Sequence, residues 1–296
     1  MQISRTAKDL LARRLLQPLT ILVSLGVFAI GFVLLGKSVP LLVSNSLQEL
    51  LLSPFWRPSR GEFGFYPFIV GTVEVTVLSM TFAGSICILT SVYVSEYAAK
   101  RVRDVVISMI DVLAGVPSVV MGLWGVLVIV PAVRSLGSFA GYSTTGYSVL
   151  AGAIVLAIMV FPSIISVMLE VLRNVPSSMR EASAGLGATK WQTVKYVVVR
   201  KSAGGILAAI ILGFSRAFGE TMAVLMVVGN VARAPSSIFD PAYPLPALIA
   251  NDYGEIMSIP LYDSALLFAA LLLLIIVAAF TIMGRVVLIR IQSRST

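Results

Sequence analysis

The chain has 296 residues, 58% of them hydrophobic and only 12% charged, with a mean hydropathy of +0.97. Globular domains carry about 25% charged residues, so an ordinary soluble domain is excluded and the membrane class follows. With no histidine and a single cysteine, neither a His/Cys metal centre nor a catalytic triad has residues to build on, and no catalytic chemistry is expected.

A hydrocarbon core about 30 Å thick needs roughly 20 apolar residues of helix. Six stretches meet that length, near residues 15–36, 66–95, 105–133, 147–169, 202–230 and 264–284. Backbone groups in lipid must be satisfied within the segment, and runs this apolar do not alternate as barrel strands do, so all six are expected to be helices.

The first run is longer than a signal-peptide core and lacks a small-x-small cleavage site, so it reads as a retained anchor. Its end, Gly31 to Ser38, spells GFVLLGKS and satisfies G-x-x-x-x-G-K-[ST] letter for letter. A phosphate-binding loop must follow a strand and open a helix, whereas this string closes a span, so a nucleotide site is rejected and Lys37 reads as an interfacial anchor. Within the second span, Cys87 has no partner for an internal disulfide, and Glu74 either snorkels or lines a water-filled vestibule. The third span carries Asp111, expected to pair with Arg101 or Arg103, then Pro117 as a break, with Gly115, Gly122 and Gly125 for close helix packing.

An even number of crossings puts both termini on one side. That side collects sixteen cations: Arg5, Lys8, Arg13, Arg14, Lys100, Arg101, Arg103, Arg173, Arg180, Lys190, Lys195, Arg200, Lys201, Arg285, Arg290 and Arg294. The other side holds five, Lys37, Arg57, Arg60, Arg134 and Arg233. Positive charge stays inside, so both termini are expected in the cytoplasm, and the net charge of +8 is a topology signal with little left for nucleic acid.

Between spans 4 and 5, residues 174–201 read NVPSSMREASAGLGATKWQTVKYVVVRK. Ser178 with Glu181 forms one expected capping box and Thr189 with Gln192 a second, with Gly187 ending the first helix between them. Ala182, Ser183, Ala184 and Gly185 keep that helix slim enough to lie in a partner's groove. In the fifth span, Arg216 and Glu220 are four residues apart, so on a continuous helix both leave one face and can pair. An arginine fork suits a tetrahedral oxyanion; the plainer alternative is a static pair locking span 5 to a neighbour. The loop from Val231 to Asp263, with Pro235, Pro241, Pro244, Pro246 and Pro260, reads as a rigid cover or a short re-entrant piece. No internal repeat is apparent, which counts against secondary-carrier folds.

The string Glu181-Ala182-Ser183-x-x-x-Gly187 resembles the EAA-x-x-x-G signature of ABC importer permeases. It departs from that signature at Ser183 and again further on, where Val197-x-Val199-Arg200 stands in place of I-x-L-P. AGVPSVVMGLWG and RAFGETMAVLMVVGN narrow the resemblance to phosphate-importer permeases of the PstC type. That resemblance implies an all-α MetI-like permease of six transmembrane helices, one domain over residues 1–296, in a prokaryotic plasma (inner) membrane. It implies a substrate pathway at Arg216 and Glu220, and ATPase coupling through Glu181, Ala182, Ser183 and Gly187. The implied partners are a second, PstA-like permease, two ATP-binding subunits, an extracytoplasmic phosphate-binding protein and membrane lipid. ATP and Mg belong to the ATPase subunits, with no cofactor on this chain. Another oxyanion, sulfate or molybdate, and an ion-coupled carrier stay open as alternatives.

Overall fold

The computed structural model describes residues 5–254, 259 and 261–293. Among the cations counted above, the side chains of Arg5, Lys8, Arg13 and Arg294 lie outside that description.

The first helix, α1 (Arg5–Ser44), is unbroken for 40 residues despite Pro18 and Pro40. It absorbs Gly31 to Ser38 whole, and Ser38 donates its hydroxyl back to Leu34 O, so that string has no loop in which to cradle a phosphate. A short helix α2 (Leu47–Leu52) and a small hairpin, β1 (Trp56–Arg57) with β2 (Glu62–Phe63), lead into α3 (Tyr66–Val92). A π-helical turn at Tyr93–Tyr97 completes span 2.

The third span differs from its expected position. Helix α4 (Lys100–Ala114) is separate, and the chain breaks before α5 (Ser118–Trp124), which runs through a π turn into α6 (Val130–Phe139). The membrane-length helix is therefore Ser118–Phe139, not 105–133. Pro117 lies in front of this span instead of kinking its middle, because a proline is tolerated at a helix start where no N–H is needed. Helix α4 carries four charges in its first five residues (Lys100, Arg101, Arg103, Asp104) and a fifth at Asp111 among apolar side chains, as suits a helix lying at an interface.

Span 4, α7 (Val149–Arg173), is the centre of the bundle: 67% of its most apolar stretch is buried, against none for span 1. Spans 2, 4 and 5 share the largest core around Val75, Met80, Cys87, Leu156, Ile164, Met168 and Ala209. After α7 come α8 (Ser177–Gly185) and α9 (Lys190–Thr193), then a π turn into α10 (Val199–Gly219), α11 (Met222–Val227), α12 (Leu245–Asp252) and α13 (Tyr262–Ser293).

The described part of the proline-rich loop holds a buried helix, and Pro260 lies outside the description. Leu245, Ala247 and Leu248 of α12 are buried, and the Leu245 N–H donates to Thr72 Oγ1 of span 2 at 2.8 Å. Trp56 sits edge-on to Phe63, Phe65 and Phe68, tying the first loop into the same cap.

The glycines of span 3 pack as their pattern suggests. A methyl added to Gly125 would meet Val155 Cγ2 at 2.7 Å and Val227 Cγ1 at 2.8 Å, so α11 and span 4 press on it from two sides. Gly125→Val is expected to cost about 1 to 3 kcal/mol by overpacking. The check is a lower melting temperature of the purified protein in detergent, with Gly36→Val, a helical glycine of α1 where an added methyl meets nothing, as the control for mere loss of glycine.

Candidate functional site

Helix α10 ends at Gly219, so the expected pairing of Arg216 with Glu220 does not form. Glu220 has an extended backbone (φ −74°, ψ 124°), and its Oε1 accepts from the Ala223 N–H at 3.3 Å, turned towards the first turn of α11. Hydropathy could not reveal the break, since α11 is as apolar as the helix before it. Packing explains it: Ala223 and Val227 of α11 are fully buried, and an added methyl on Gly122 would come within 3.1 Å of Ala223 Cα, so α11 turns in against span 3.

Arg216 instead reaches across to span 4, where its Nη1 donates to Ser163 Oγ. Its side chain is exposed, and among the described residues it makes no ion pair. Ser163 was not singled out from sequence; the usable signal was Ser163, Ser166 and Glu170, spaced three and four apart on an otherwise apolar helix and so sharing one face. That face runs from mid-span towards Arg173. There a cavity of about 340 Å³ opens between α4 and span 4, lined by Asp111, Ser166, Glu170, Arg173 and Asn174. Asp111 belongs to this cavity and pairs with neither Arg101 nor Arg103; the Arg103 guanidinium donates to Val94 O and Ser95 O, both at 3.1 Å.

Near the opposite end of the bundle, Glu74 is exposed in an open cavity of about 460 Å³ with Thr81, Val149, Ser236, Ser237 and Ile238. The vestibule reading of this residue fits that surrounding. A guanidinium at the bilayer centre costs roughly 2.5 to 3.5 kcal/mol on insertion scales, so the face bearing Arg216, Ser163 and Glu170 is suited to water or protein and not to lipid.

The loop between spans 4 and 5 forms the expected helix-turn-helix. The Thr189–Gln192 capping box is present in both directions, with Thr189 N to Gln192 Oε1 at 2.8 Å and Gln192 N to Thr189 Oγ1 at 3.3 Å. The Ser178–Glu181 box is absent. Pro176 occupies the N-cap and Ser178 already lies inside α8, too late to cap it. Gly187 has φ +81°, the Ala188 N–H reaches Ser183 O and the Gly187 N–H reaches Ala184 O, which together form a Schellman end. Glu181 and Ala182 face solvent, while Ser183 turns inward and shares a 2.9 Å hydrogen bond with Thr193. Leu186 and Trp191 remain exposed beside them.

Six membrane-length helices with a slim exposed helix between spans 4 and 5 define a multi-pass helical membrane protein. The chain belongs to the binding-protein-dependent transport system inner membrane component family, whose profile matches residues 87–293. It is 32% identical over 286 residues to the phosphate transport system permease protein PstC of Mesorhizobium japonicum, covering 89% of this chain and 87% of that one. It is 39% identical to the probable ABC transporter permease protein YqgH of Bacillus subtilis over 70% of this chain and 66% of that one. The fold is similar to a chain of the MetNI methionine ABC transporter in an inward-facing conformation (TM-score 0.58, 19% identity, 77% of this chain and 97% of that one). It is similar also to a bacterial alginate ABC transporter (TM-score 0.62, 13% identity, 97% and 99%). The chain is thus a multi-pass plasma-membrane permease subunit of an ABC importer.

Proposed function

We propose that this subunit forms half of a phosphate pathway, paired with a second permease of PstA type, served by an extracytoplasmic phosphate-binding protein and driven by two ATPase subunits. The observation that carries the reading is Arg216, a membrane-embedded guanidinium held by a neutral serine and by no carboxylate among the described residues. Such a fork keeps donors and a full charge available for an oxyanion. The polar face of span 4 then offers a route from Arg216 towards Arg173, and Glu220, one turn beyond, supplies a carboxylate near its start. The relatives named for phosphate transport favour phosphate over sulfate and molybdate.

In this reading the end of the bundle bearing α8 and both termini faces the cytoplasm, in keeping with its sixteen cations. Glu181, Ala182, Ser183 and Gly187 shape the helix that an ATPase subunit grips. ATP and Mg are held by that subunit, and this chain catalyses nothing.

The test is ATP-driven uptake of labelled phosphate by the complex reconstituted in liposomes with its binding protein. Unlabelled phosphate should compete at least tenfold better than sulfate or molybdate. Equal competition by sulfate would replace phosphate with another oxyanion, and uptake that persists without ATP or ATPase subunits would move the chain to the ion-coupled carriers.

A further inference from the structure

Helix α8 buries no side chain, so packing alone gives it no grip on the bundle. Its firm attachment on one side is Arg180. This guanidinium donates to Glu96, with Nη2 to Oε1 at 2.9 Å and Nε to Oε2 at 3.4 Å, and Glu96 is only 9% exposed at the end of span 2. The same fork donates to Leu172 O at 3.0 Å, in the last turn of span 4, where that carbonyl also accepts from the Val175 N–H at 3.5 Å, and to Val175 O just past the helix end. Ser95 Oγ donates to Glu96 Oε1, and Arg103 of α4 caps Val94 O and Ser95 O of the same turn. Beneath them Leu172, Val175 and Val198 are closed into an apolar plug.

We propose that Arg180 and Glu96 form the joint through which displacement of α8 is passed to span 2. This rests on α8 being the helix gripped by an ATPase subunit. On its far side α8 is linked to span 5 by the Ser183–Thr193 bond and the Gly187 turn, so a push on α8 reaches span 5 along the chain. Span 4 is joined to α8 directly through Asn174 to Pro176, whereas span 2 has no covalent lever on it. A bidentate, largely desolvated ion pair resists displacement in direction as well as distance, which a slim helix of alanine and glycine cannot do by contact. Arg180 and Glu96 are positioning residues that touch neither substrate nor nucleotide.

The experiment uses the full reconstituted complex and reads two quantities together, ATP hydrolysed and phosphate imported, for wild type, Arg180→Gln, Glu96→Gln and the double variant. Each single variant should keep its ATPase subunits and its hydrolysis while uptake falls about tenfold, so ATP consumed per phosphate rises about tenfold. The double variant should resemble either single one, because one joint is broken once. A ratio within twofold of wild type in both singles overturns the proposal. So does a double variant whose loss is the product of the two, or loss of ATPase subunits on purification, which would mark a purely structural pair. If wild type itself imports no phosphate under ATP, the functional reading fails first; the joint fails alone when wild type transports and the variants stay coupled.

Discussion

Arg216→Gln is expected to assemble with its partners as wild type does and to lower ATP-driven phosphate uptake by about thirtyfold or more. A hydrogen bond to a charged group is worth about 1.5 to 3 kcal/mol, so losing the fork's bonds to an oxyanion removes about 2 kcal/mol or more, and each 1.4 kcal/mol is about a factor of ten. Glutamine keeps an amide donor at about the position of the arginine Nε, while the charge and the fork that reaches Ser163 are lost. Arg216→Lys should fall between, since an ammonium supplies charge without planar bidentate geometry. Ser163→Ala removes one hydrogen bond worth about 1 kcal/mol and should cost less than tenfold. Initial uptake rates at saturating binding protein, with co-purified subunits quantified alongside, make the comparison. Normal uptake by Arg216→Gln would assign the residue to helix packing and leave the oxyanion to another site.

The partner of Arg216 is the point at which sequence reading and structure part. Four-residue spacing predicts a pair only while the helix continues, and the break after Gly219 is set by contacts from Gly122, Gly125 and Val155, distant in the chain. Local propensity carries no record of those contacts, and mean hydropathy treats a helix that turns inward like one that goes on. The same weakness merged α4 with span 3, although Pro117 and the charged residues from Lys100 to Asp111 were visible signs of a boundary. Features governed by neighbours in sequence fared better. Gly187 ends α8 and Thr189–Gln192 opens the next helix, because both depend on bonds within five residues. The Ser178 box failed for a local reason too: the helix is capped at Pro176, two residues before the expected serine cap. Glu96 and Arg180 stand 84 positions apart, so no local pattern in the sequence links them.

Gly187→Val is expected to reduce phosphate uptake about tenfold and to lower recovery of the ATPase subunits, whereas Gly187→Asn should stay within about threefold of wild type. The φ of +81° lies in the left-handed region, which costs an ordinary L-residue about 1 to 2 kcal/mol, most for a β-branched one and least for asparagine. An added Cβ at this position meets no atom within 4 Å, so a clash cannot account for the effect; only backbone conformation changes. Strain there competes with the bonds from Ala188 N to Ser183 O (3.2 Å) and Gly187 N to Ala184 O (2.9 Å), which fix where α8 stops. If they open, Ser183 loses its registry with Thr193, and Glu181 and Ala182 are presented at a different angle to whatever grips them. Uptake and co-purification falling together in the valine variant, with asparagine restoring both, would show that the angle of α8 governs coupling. Equal activity of all three would show that the turn tolerates either backbone and that the partner seats α8 on its own.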